Sequence, residues 1–104
     1  MDELEELRIE YARELPGRLD EIERLWNRVD YSTPDFQTIT DVRNLVHKLA
    51  GSGSLYGFEG LSESAGELDS LLKRLDRSEI ELTEEVLARI LALLNRMKES
   101  IRLT

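Results

Sequence analysis

Apolar residues recur at three- and four-residue steps along almost the whole chain, the period of amphipathic helices. Leu4, Leu7, Tyr11 and Leu15 make one stripe. Pro16 should end or kink it, because it has no N–H to donate and its ring crowds the preceding turn. Leu19, Ile22, Leu25, Trp26 and Val29 resume the pattern, and "YSTPDFQT" then breaks it with a Ser-Thr-Pro start signal. Val42, Leu45 and Leu49 mark a third helix, and Leu61, Ala65, Leu68, Leu72 and Leu75 a fourth. After "DRSEIELT", a last helix carries Val86, Ile90, Leu94, Met97 and Ile101.

These stripes predict about five helices, near 2–15, 17–30, 38–54, 58–76 and 83–102. No segment sustains a two-residue alternation, so no sheet is expected. The stripes are broad and the joints short. The expected fold is therefore all-α, an antiparallel four-helix bundle with an additional N-terminal helix. Thr83 is placed to cap the last helix, with Glu84 and Glu85 at its positive dipole end. Glu14–Arg18 and Asp20–Arg24 are acid-before-base pairs one turn apart.

At 104 residues the chain makes one domain, residues 1–104, large enough for a single core. Its 14 Lys plus Arg against 22 Asp plus Glu give a formal charge of -8. That sign argues against a nucleic-acid partner and against an anionic membrane surface. The absence of cysteine excludes disulfides, thiolate metal sites and a thiol nucleophile. No apolar run approaches the roughly 20 residues that span a bilayer. The N-terminal "MDELEELRIE" is acidic where a signal peptide is basic and then apolar. A cytoplasmic protein, or a soluble module of a longer one, is expected.

The single histidine, His47, sits in "LVHKLAGSGSLYGF", residues 45–58. On a helical wheel with His47 at zero, Leu45, Leu49 and Val42 fall near about 160°, 200° and 220°. The imidazole should therefore face solvent, nearly opposite the apolar centre. Around it at one-turn steps lie Arg43, Asn44, Ala50 and Gly51, with Ser54 two turns on. Exposed helix faces ordinarily carry long charged side chains, whereas this one is small. Gly51 costs up to about 1 kcal/mol of helix stability relative to Ala, so a demand other than helix formation retains it. A partner's close approach is such a demand. Residues 42–58 also contain no Asp or Glu but include Arg43 and Lys48, a neutral-to-positive window in an acidic chain. It suits an imidazole that carries a phosphoryl group or meets an acidic partner.

Other chemistries fit less well. "GSGSLYG" lacks the glycine spacing of a dinucleotide loop, follows a helix rather than a strand, and offers no Gly-Lys-Ser/Thr. No strand-built elbow supports a hydrolytic triad. The acidic clusters "DELEE", "LDEIE" and "TEE" read as solvated helix faces and first-turn dipole partners, not metal ligands. Trp26, Tyr56 and Phe58 read as packing residues, the last two placed to line the edge of a partner surface near His47.

"HKLAGSGSLYG" carries His47, a glycine four residues later and another ten residues later, followed by the amphipathic "LSESAGELDSLLKRL". This resembles the histidine phosphotransfer (HPt) domain of two-component phosphorelays, whose signature is His-x-Leu-x-Gly-Ser/Ala and then Gly before the next helix. The motif spans residues 45–75, and the helix count extends the likeness over the rest of the chain. The Leu15–Pro16 step is of a kind seen near the start of such domains.

The resemblance implies an HPt-like bundle in which His47 accepts a phosphoryl group from an aspartate of a receiver domain, or from a kinase, and passes it on. The receiver would belong to a response regulator or hybrid histidine kinase and would supply the acidic pocket and Mg²⁺. The chain itself would bind no cofactor or metal, have no ATP site, and act as a monomeric carrier rather than an enzyme. Lys48 and Arg43 would balance phosphoryl charge and steer the receiver, and Asn44, Ala50, Gly51 and Ser54 would complete the docking surface. Ala50 departs from the Lys common three residues after the histidine, which leaves Lys48 as the helper. The competing expectation is a non-catalytic helical adaptor whose binding does not need His47.

Overall fold

The computed structural model describes residues 2–102. It contains four helices, α1 (Glu3–Trp26), α2 (Phe36–Leu55), α3 (Glu59–Asp76) and α4 (Glu84–Arg102), and no strand among the described residues. The expected fifth helix is absent, because α1 runs 24 residues straight through Pro16. The reason is tertiary. Tyr11, Leu15, Leu19, Ile22 and Trp26 are all buried, so one apolar face is fastened to the core on both sides of the proline. Pro16 itself and Ala12, whose carbonyl loses its donor, are exposed, and water can take that hydrogen bond.

Each helix packs on its sequence neighbours, and α1 closes the ring against α4. Cross-helix pairs set the directions. On α2 and α3, Arg43 meets Asp76, His47 meets Asp69 and Ala50 meets Ser62, so the two run antiparallel. Tyr11 of α1 bonds Ser52 near the far end of α2, and Glu67 of α3 reaches Arg89 of α4. The core is a continuous column of Leu, Ile, Val and aromatic side chains contributed by all four helices. Burying a Leu or Ile stabilises by roughly 1.5–3 kcal/mol, which is what holds the platform rigid.

The α1 stripe is only half used. Leu4 and Leu7 are 63% and 49% exposed, and burial on α1 begins at Tyr11. Local signals mostly act as expected. Thr83 Oγ1 accepts from the Val86 N–H at 3.2 Å, and Arg18 pairs with Glu14 at 2.9 Å. Asp20 and Arg24 form no such pair. The α2 start is set by Asp35, not by Ser-Thr-Pro: its carboxylate accepts from the Gln37 N–H and the Thr38 hydroxyl. No helix is long and apolar enough to cross a membrane among the described residues.

Candidate functional site

α2 continues through Gly51 and Gly53 to Leu55. The two glycines differ in kind. A Cβ on Gly53 would meet Phe58 O and Ser62 N, both at 3.4 Å, so Gly53 lets the start of α3 pack directly against α2. A Cβ on Gly51 would meet no heavy atom within 4 Å. Nothing inside the fold requires that glycine. Gly57, the second glycine of the motif, has φ +82°, a left-handed conformation that releases the chain from α2 into α3.

The buried face of α2 consists of Ile39, Val42, Val46, Leu49 and Gly53. Val46 and Ile39 move its centre away from the one inferred from Leu45, Leu49 and Val42, and Leu45 is only half-buried. His47 consequently lies not opposite the core but on the shoulder of α2 that faces α3. Its side chain is 74% exposed. Nδ1 stands 2.9 Å from Oδ2 of Asp69 on α3. A carboxylate can only accept, so Nδ1 carries the proton, and in the neutral ring Nε2 keeps its lone pair.

Asp69 is the functional neighbour that sequence reading missed. It lies between Leu68 and Leu72 on α3, and one wheel at a time it is simply a polar residue beside an apolar stripe. The signal available was its heptad spacing to Asp76, the same face seven residues on. Arg43 joins the two: Nη1 donates to Asp76 Oδ2 at 3.0 Å, and Nε faces Asp69 Oδ1 at 3.8 Å. Thr40 Oγ1 donates to the other oxygen of Asp76 at 2.9 Å. The acid-free window of residues 42–58 is thus lined across the helix seam by two carboxylates, which corrects the neutral-to-positive patch expected there.

The remaining predicted positions divide. Asn44, Lys48, Gly51 and Ser54 are exposed around His47 on the same helix. Ala50 is half-buried at the rim of the core, and its carbonyl accepts from the Ser62 hydroxyl at 2.7 Å. Arg43 is turned inward to its two carboxylates instead of outward. Tyr56 stacks on Tyr11 with ring centroids 4.6 Å apart, while Phe58 is buried at 6% exposure and so lines the core, not a partner surface. No group of three or more His, Cys, Asp or Glu converges on a metal position among the described residues.

Comparison with known proteins places this geometry. The family model of the Hpt domain matches residues 6–100. No curated protein matches the chain significantly. Hpt domains are histidine-containing phosphotransfer modules of phosphorelays and interact with the receiver domains of two-component systems. With its four helices and its single histidine exposed on α2, and matched over nearly its whole length, the chain belongs to the Hpt-domain family.

Proposed function

We propose that the chain is a phosphorelay carrier whose phosphoacceptor is Nε2 of His47, exchanging a phosphoryl group with the aspartate of a receiver domain. The observation that carries the reading is the exposed imidazole with Nδ1 held by Asp69 at 2.9 Å and Nε2 free. Transfer inward begins with the Nε2 lone pair attacking the phosphorus of the receiver's aspartyl phosphate. The P–O bond to that aspartate breaks with its electron pair, which leaves on the carboxylate. The ring then holds an N–P bond and a positive charge that the Asp69 carboxylate faces directly. No proton has to leave. Outward transfer reverses the flow: a receiver carboxylate oxygen attacks phosphorus, the N–P electrons return to Nε2, and the ring is neutral again.

In this reading the receiver contributes the acidic pocket and Mg²⁺, whose chemistry is to neutralise charge on the phosphoryl oxygens. The chain contributes an oriented ring, an open approach at Gly51, and the cation of Lys48 beside the site. The test is phosphotransfer from a panel of phosphorylated receivers to wild type and to His47→Gln. An acid-labile, base-stable phosphoryl group on wild type alone is expected, with ³¹P NMR placing it on Nε2. A folded wild type that no receiver phosphorylates, but that binds receivers equally well as His47→Gln, would instead identify an adaptor.

A further inference from the structure

We propose that Arg43 is a positioning residue, anchored by Asp76, that fixes the Asp69 carboxylate so that His47 presents Nε2. The proposal rests on the reading of His47 as phosphoacceptor and gives Arg43 a role other than receiver docking. Three observations carry it. First, the guanidinium is already spent: one edge donates to Asp76 at 3.0 Å and another faces Asp69 at 3.8 Å, with Arg43 largely shielded from solvent. Second, Oδ1 of Asp69 is buried and has no hydrogen-bond donor. A buried carboxylate oxygen without a donor is costly, and the cation that offsets it is Arg43 Nε. Without that cation the carboxylate gains by turning toward water, which takes Oδ2 off the imidazole.

Third, Asp76 sits in the last turn of α3, where a negative charge opposes the helix dipole. Thr40 and Arg43 both bond it there, so the position is held by the seam, not by the helix. The result is a ladder from α2 to α3 and back: Thr40, Asp76, Arg43, Asp69, His47. Arginine suits the third rung because its planar fork presents separate nitrogens to two carboxylates.

The experiment is ¹⁵N NMR of the His47 ring, at a pH where the imidazole is neutral, in the full chain and in the variants Asp69→Ala, Arg43→Gln and Asp76→Asn. Phosphotransfer rates and helical circular dichroism are measured alongside. The wild type should hold mostly the Nδ1–H tautomer. Asp69→Ala should lower the Nδ1–H to Nε2–H ratio by about tenfold. Arg43→Gln and the near-isosteric Asp76→Asn should each lower it by roughly three- to tenfold and slow transfer in step. A wild-type ratio in folded Arg43→Gln and Asp76→Asn overturns the clamp, and slowed transfer at that unchanged ratio would return Arg43 to direct contact with the receiver. If wild type is never phosphorylated, the carrier reading fails, while the tautomer ratios still decide the clamp.

Discussion

Replacing Gly51 should move stability and function in opposite directions. The position is helical and exposed, and a Cβ there meets no heavy atom within 4 Å. Gly51→Ala therefore costs nothing in packing and removes the backbone-entropy penalty of glycine, a gain of up to about 1 kcal/mol. In a domain of this size each kcal/mol is worth roughly 4–8 °C in Tm. Gly51→Gln keeps most of that gain, since Gln is a good helix former, but raises a long side chain one turn from the imidazole. Misplacing reacting groups by even 1 Å can cost about 100-fold, so transfer to Gly51→Gln should slow by at least about tenfold, with Gly51→Ala between it and wild type. Urea unfolding followed at 222 nm gives the first quantity, and an unchanged slope shows that the same fold is being compared. Time courses with a phosphorylated receiver give the second. Destabilisation of Gly51→Ala would refute the open, helical placement. Wild-type transfer in a stabilised Gly51→Gln would refute the idea that the glycine is kept for a partner's approach.

Two further expectations concern α1. Pro16→Ala should restore the donor missing beneath the Ala12 carbonyl and stabilise by up to about 3 kcal/mol, read from the urea midpoint; a loss would mean that the proline sets a geometry the core needs. Tyr11→Phe should cost about 1 kcal/mol near neutral pH by removing the 2.7 Å bond to the Ser52 hydroxyl. Burial, only partly opposed by that hydroxyl, raises the Tyr11 phenol above its ordinary 10.0. The unfolded chain therefore ionises first. Wild-type stability from this group is complete below pH 10 and falls as pH rises beyond it, and urea midpoints across that range should fall less steeply for Tyr11→Phe.

What was legible in the sequence follows from what a single helix can encode. The α3 and α4 stripes, the Thr83 cap and the exposure of His47 each depend on one helix or its end, and each could be read there. The fate of Pro16 could not, because a proline's local cost was set against burial of Leu15 and Leu19 by other helices. Asp69 was hidden for a related reason. Which α3 residue faces His47 depends on how α2 is rotated about its own axis. The wheel built on Val42, Leu45 and Leu49 omitted Val46, which is wholly buried. With Val46 in the core, the Nδ1 edge of the still exposed imidazole turns to the α3 seam, and an unremarkable aspartate becomes its partner.

That partner raises an electrostatic question, because a carboxylate beside a phosphoryl dianion is repulsive. The geometry answers it by using the two ring nitrogens differently. Asp69 takes Nδ1, and Nε2 lies on the far side of the ring, so the carboxylate sits nearer the imidazolium charge than the phosphoryl oxygens. Arg43 offsets one of the two seam carboxylates from within, where solvent screens it less. Lys48 is exposed next to His47 and in no ion pair among the described residues, which under the proposed function leaves it available to the phosphoryl group. Under the proposed function, the seam orients and charge-balances the ring from beneath and leaves the outer side of Nε2 for the phosphoryl group. A Lys at position 50 would project from the same flank of α2 as Arg43 but about two turns further along, where Ala50 is half-buried against the start of α3 and its carbonyl accepts from the Ser62 hydroxyl.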